Sequence, residues 1–182
     1  MFEKNIEKED INKLEVRQFE GKIHLVDNPG ALDRAMRSIR EHPVLGFDTE
    51  TKPAFRKGVR YDVALIQLSN RTEAWLIRVN KIGFTDQLKA VFEDPAILKV
   101  GAGLKDDLHK LKEIRDFNPW GFVDLQKYVD AFRIESKSLK KITAIVLGYK
   151  ISKSQQTSNW EADVLTEMQQ RYAATDAWVC LE

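Results

Sequence analysis

Cysteine is nearly missing: Cys180 stands alone among 182 residues, so no intramolecular disulfide can form and no cysteine pair offers zinc-ligand spacing. That points to a reducing compartment, and the cytoplasm is the expected location. Long apolar runs are missing too, since nothing approaches the ~18 consecutive apolar residues of a membrane span. The first ten residues alternate charge and lack the apolar core of a secretory leader. Histidine is scarce, at three, and no two stand at metal spacing, so His109 is assigned to a solvated helix surface. Excess charge of either sign is also lacking. With 29 Lys and Arg against 28 Asp and Glu the net charge is +1, which excludes a broadly basic nucleic-acid coat and requires any polyanion to be held locally. No repeat, low-complexity tract or linker interrupts the chain, and its length is enough to bury ~70% of the unfolded surface in one domain.

What is present is organised around Val44-Leu45-Gly46-Phe47-Asp48-Thr49-Glu50, an apolar strand that ends in two carboxylates one residue apart. Side chains repeat with period two along a strand, so Asp48 and Glu50 share a face. Like charges held that close repel, and a cation beside them relieves the repulsion. Other strands are expected at 23–26, 63–68, 74–77, 97–101 and 122–124. Helices are expected at 31–41, 84–93, 106–114, 125–132, 138–147 and 165–182. Residues 1–21 read as a loosely ordered lead-in and 22–182 as a single domain. Three hairpin strands followed by β-α alternation imply an α/β fold, a mixed sheet of five to six strands with helices on both faces. The last helix shows no C-terminal cap at Glu182, which is compatible with a longer parent chain.

Two further clusters carry acids. In Gly101 to Leu111 a strand gives way to a helix whose first turn holds Asp106 and Asp107. The helix dipole favours acids there. Asp106 is expected to cap, while Leu108 and Leu111 set the buried face and place Asp107 near the strand ends. In the last helix, Tyr172 and Asp176 are four residues apart and therefore stacked on one face. A structural role, with the Tyr172 hydroxyl bonded to Asp176 in the core, would account for that pair as well. Trp75, Trp120, Trp160 and Trp178 are expected in the core.

The ordered set, Asp48-x-Glu50 closing a strand, Asp107 at a Gly-rich junction and Tyr172-x-x-x-Asp176 in a late helix, resembles the three motifs of the DEDDy 3′-to-5′ exonucleases. It is similar to the ribonuclease D-like domains, including those of Werner-type helicases. Val63 to Leu68, Val123 to Leu125, Ser138 to Lys140, and Lys153-Ser154 followed by Ser158 to Trp160 also fit, and the likeness runs from about residue 22 to the end. The resemblance implies a ribonuclease H-like fold and removal of nucleoside 5′-monophosphates from a 3′ end of single-stranded or 3′-recessed RNA or DNA. It also implies two divalent ions, Mg²⁺ or Mn²⁺, held by Asp48, Glu50, Asp107 and Asp176. A phosphodiester is anionic and its leaving oxygen departs as an alkoxide, so hard cations in an all-oxygen site suit the chemistry. Tyr172, with an ordinary pKa near 10, is expected to orient the attacking water, and Glu50 or a neighbouring backbone group to reach the terminal nucleotide.

Substrate contacts are expected from Thr49 within the first motif and from the residues after it, where cations meet phosphates and aromatics stack on bases. These are Thr49, Lys52, Phe55, Arg56, Lys57 and Arg60, joined by Lys153; Arg133, Lys137, Lys140, Lys141 and Lys150 form a second basic region. Two other readings compete: a module of the same fold that binds nucleic-acid ends without turnover, and a two-carboxylate glycosidase. In the glycosidase scheme Asp107, Tyr172 and Asp176 have no task.

Overall fold

The computed structural model describes residues 2–182. Six strands form one mixed sheet: β1 (Lys22–Val26), β2 (Val44–Thr51), β3 (Val63–Ser69), β4 (Glu73–Ile77), β5 (Leu98–Gly101) and β6 (Phe122–Asp124). Their order is β1-β4-β3-β2-β5-β6. The three central strands β4, β3 and β2 are the expected antiparallel meander. Its tight turn is held by Asn70, whose side-chain oxygen accepts from the backbone N–H groups of Thr72 and Glu73. The outer strands add in parallel, β1 on β4, β5 on β2 and β6 on β5. Parallel neighbours need a crossover, and helices supply it.

Those helices are α1 (Lys8–Lys13), α2 (Pro29–Ile39), α3 (Val79–Ile82), α4 (Asp86–Phe92), α5 (Leu104–Ile114), α6 (Leu125–Tyr128), α7 (Leu139–Leu147) and α8 (Glu167–Leu181), with a 3-10 turn at Val129–Phe132. Asn28, Thr85, Ser138 and Thr166 cap α2, α4, α7 and α8. The helix expected from Phe84 therefore begins two residues later, after the Thr85 cap, and Phe84 packs in the core instead. One face of the sheet carries α2, α4 and α5, packed through Met36, Leu45, Phe47, Phe92 and Leu111. The other carries α8, packed through Leu65, Leu76, Tyr172, Ala173 and Ala174.

Two expectations need correction. The lead-in is ordered over its described residues: α1 forms, Phe19 is buried, and the Phe19 N–H donates to the Thr175 hydroxyl of α8 at 2.9 Å. Arg171 of α8 donates back to the Phe19 carbonyl. An alternating charged segment gives no hint of this, because its buried anchors, Ile11 and Phe19, are isolated apolar residues with no helix or strand period. Trp120 is 60% exposed rather than core, and Trp178 only half-buried, whereas Trp75 and Trp160 are fully buried.

Candidate active site

The site is built at the C-terminal ends of β2 and β5. Gly46, Asp48 and Glu50 point to the α8 face, whereas Leu45, Phe47 and Thr49 point to the α5 face, as the two-residue period requires. Gly46 is what lets α8 approach: a Cβ there would collide with the Ala177 carbonyl oxygen. That close approach carries Asp176 onto the same spot. One carboxylate oxygen from each of Asp48, Glu50 and Asp176 lies within 4.8 Å of the others.

Asp107 comes from the other side of the sheet. The helix that carries it begins at Gly103, whose φ of 76° is a left-handed conformation suited to glycine. Asp106 does not cap this helix. The cap comes from Asp124 at the end of β6, whose carboxylate accepts from the N–H groups of Gly103 at 2.9 Å and Leu104 at 3.2 Å. A cap supplied from twenty residues downstream has no local sequence signature. Asp107 then receives a hydrogen bond from the Thr49 hydroxyl at 2.6 Å. It stands outside the three-carboxylate group, yet its charge reaches Asp48 and Glu50.

The electrostatics follow from burial of like charges. Burial, then Asp176 and Asp107, push the Asp48 carboxyl well above the ordinary range. Glu50, 9% exposed, is pushed up to about 10 by burial and then by Asp48, Asp176 and Asp107. Burial raises Asp176 to about 7, against the Tyr172 hydroxyl and Lys153, which both lower it. Asp107 is raised by burial, and the Thr49 hydrogen bond opposes the shift. Tyr172 is driven far above its usual value by burial and by Asp176 and Glu50, and its ring packs on the buried Trp160 at 6.0 Å. The donors are all carboxylate oxygens, the set that Mg²⁺ and Mn²⁺ prefer, and they repel one another until a cation sits among them. The residues present therefore fit a divalent metal.

A cleft of about 210 Å³ is lined by Asp48, Thr49, Glu50, Tyr172 and Asp176, together with Lys140, Lys153 and Gln156. Of the cations singled out for substrate, Lys140 and Lys153 thus reach the site. Lys52 is engaged elsewhere, with Glu161 at 3.2 Å and over the Tyr61 ring. Phe55, Arg56, Lys57 and Arg60 are exposed on the loop after β2, and none of these three cations forms an ion pair among the described residues. Lys150 donates to the Asn12 carbonyl and Lys137 pairs with Asp130, so these two have structural tasks. Thr49 is among the residues lining the cleft, but its hydroxyl serves Asp107.

Two fully buried polar residues carry no chemical signature in the sequence. Gln67 lies in register opposite Asp48, fully buried, with neither amide atom hydrogen-bonded among the described residues. Arg78, also fully buried, donates to the carbonyls of Ala162 and Asp163 and so ties the loop that carries Trp160 to the end of β4. An Arg after an apolar strand looks like an ordinary surface cation; only the tertiary packing makes it an anchor.

Comparison with known proteins agrees with this geometry. The mouse (Mus musculus) bifunctional 3′-5′ exonuclease/ATP-dependent helicase WRN is 35% identical over 161 residues, 82% of this chain and 11% of that protein. Ribonuclease D of Escherichia coli is 30% identical over 162 residues, 86% of this chain and 42% of that protein. The chain thus spans well under half the length of these relatives. Among solved structures, the Aedes aegypti Nibbler EXO domain matches with a TM-score of 0.79 at 27% identity, covering 92% of this chain and 87% of that one. The six-stranded mixed sheet with its flanking helices is accordingly of the ribonuclease H-like kind. The model of the family described as 3′-5′ exonuclease matches residues 23–182, and with the acidic site falling inside that span the chain belongs to the 3′-5′ exonuclease family.

Proposed function

We propose that this domain is a metal-dependent 3′-to-5′ exonuclease that hydrolyses the phosphodiester bond at a nucleic-acid 3′ end and releases nucleoside 5′-monophosphates. The observation that carries the reading is the meeting of Asp48, Glu50 and Asp176 within 4.8 Å, from two separate elements, beside the Tyr172 hydroxyl. Asp48, Glu50, Asp107 and Asp176 would hold two divalent ions, Mg²⁺ or Mn²⁺, which when bound polarise water and offset charge on the leaving oxygen.

The chain's own groups do the positioning. Tyr172 keeps its proton, since burial and the neighbouring acids oppose its loss. It therefore acts as a fixed hydroxyl that orients the attacking water rather than as a base, and Trp160 holds its ring. Lys140 and Lys153 line the cleft where the scissile phosphate would lie. Phe55, 84% exposed, offers a face for an unpaired base, with Arg56, Lys57 and Arg60 around it. Such a loop suits single-stranded or 3′-recessed substrates. A silent end-binding module would have no use for three acids gathered beside a tyrosine with the charge of a fourth acid reaching them, and no observation favours it.

The test incubates 5′-labelled single-stranded RNA and DNA, with free or blocked 3′ ends, with Mn²⁺ or Mg²⁺. Laddering from the free 3′ end alone, lost in Asp48→Ala and on adding EDTA, is the expected result. End binding without mononucleotide release would overturn the reading.

A further inference from the structure

Three of the acids approach from the α8 face of the sheet, and Asp107 approaches from the α5 face. Strand β2 passes between them, and a residue on that strand has to hold the fourth acid in place. Thr49 is so placed. It sits between Asp48 and Glu50 in sequence, points to the opposite face, and is only 9% exposed. Its hydroxyl donates to Asp107 Oδ1 at 2.6 Å, the length of a charge-assisted O–H···O⁻ bond. Threonine is β-branched and stiff about χ1, so the hydroxyl direction is set by the strand. Oδ2 of Asp107 has no hydrogen-bond donor among the described residues.

We propose that Thr49 is a positioning residue: by fixing one carboxylate oxygen of Asp107 on the α5 face, it aims the other at the metal site across β2. The sequence assigned Thr49 to substrate contact. The geometry gives its side chain a different task, that of coupling the placement of Asp107 to the strand that carries Asp48 and Glu50. Lys110 of α5 attracts the Asp107 carboxylate, but the Thr49 hydroxyl is the one hydrogen-bond donor to it among the described residues. The inference rests on the reading of Asp107 as a metal ligand.

The test measures Mn²⁺ binding by calorimetry and by loss of the free-ion paramagnetic signal in the unaltered protein, Thr49→Val, Thr49→Ala and Thr49→Ser. Thermal unfolding checks that each is folded. Val replaces the hydroxyl by a methyl of similar size and Ala adds no volume, so two independent variants report on the same loss. Both are expected to weaken Mn²⁺ binding ~10–100-fold, the usual effect of removing a partner of a ligand. They should also move Mn²⁺ activation of hydrolysis to higher concentration, while the oligonucleotide KM at saturating metal stays unchanged. Ser is expected to stay within a few-fold of the unaltered protein. Mn²⁺ binding by Val and Ala that equals or exceeds the original overturns the inference. So does a Ser variant as weak as Val, since shape rather than the hydroxyl would then be the cause. If the unaltered protein binds Mn²⁺ but hydrolyses nothing, the exonuclease reading fails alone, and the affinity comparison still judges Thr49.

Discussion

Tyr172 and Asp176 stand one turn apart on α8, and the hydroxyl of the first interacts with the carboxylate of the second while its ring leans on Trp160. Packing thus holds the ring, and the hydroxyl stands beside an acid. Removing only its oxygen leaves the ring packing intact, so Tyr172→Phe is expected to slow hydrolysis by roughly 10²–10⁴ with little change in melting temperature. A rate equal to that of the unaltered protein, or a loss explained wholly by unfolding, would contradict a role in orienting water.

Without a cation the acids make the folded state sensitive to pH. Glu50 rises from 4.5 to about 10 and Asp176 from 3.8 to about 7, so the folded protein holds protons that the unfolded chain releases. A raised carboxyl contributes stability that is complete below the unfolded value and is lost as pH climbs toward the folded one. In EDTA the melting temperature should therefore fall from pH ~5 to pH ~9, and Mn²⁺ should largely abolish the fall. Melting curves that are flat or rising with pH in EDTA would refute this.

Relief of that repulsion predicts a separation of stability from activity. Asp48→Asn removes a carboxyl whose ionisation is opposed by burial, Asp176 and Asp107, and in EDTA at alkaline pH, where the native acid is forced to ionise, it is expected to melt above the unaltered protein while hydrolysing nothing. A lower melting temperature in EDTA would mean that Asp48 is held by contacts other than these.

Gly46→Ala tests the contact between β2 and α8. The added methyl meets the Ala177 carbonyl, and overpacking of this kind costs ~1–3 kcal/mol. Because Asp176 precedes Ala177, 3′-end hydrolysis should fall further than the loss of folded protein accounts for. Urea unfolding and the labelled-oligonucleotide assay on the same sample decide the matter.

The loop after β2 is tested by Phe55→Ala. With the side chain 84% exposed, stability should not change, whereas loss of one base stack should raise KM roughly tenfold at unchanged kcat. An unchanged KM would remove Phe55 from the substrate path.

Much of this was readable from periodicity. The six strands announce themselves as apolar runs, the meander through its turn residues, and the pairing of Asp48 with Glu50 and Tyr172 with Asp176 through the strand and helix repeats. What periodicity cannot carry is which parallel strands become neighbours, since no turn encodes it. The placement of β5 beside β2, and with it Asp107 beside Asp48, depends on packing summed over the whole sheet. The side of the sheet from which Asp107 arrives was hidden for the same reason, and so was the Asp124 cap, whose partner lies in another strand. In the charged lead-in the buried anchors Ile11 and Phe19 stand eight residues apart, which leaves no period to read.

The Phe19 anchor has a practical side. Residues 15–19 are stitched to Lys150 and to Thr175 and Arg171, so the N-terminal segment braces the helix on which Tyr172 and Asp176 ride. A polypeptide begun at residue 23, where the family match starts, would keep Asp48, Glu50, Asp107 and Asp176 and lose the brace. Its feeble turnover would then reflect where it was cut, and could be mistaken for the native enzyme's own weakness.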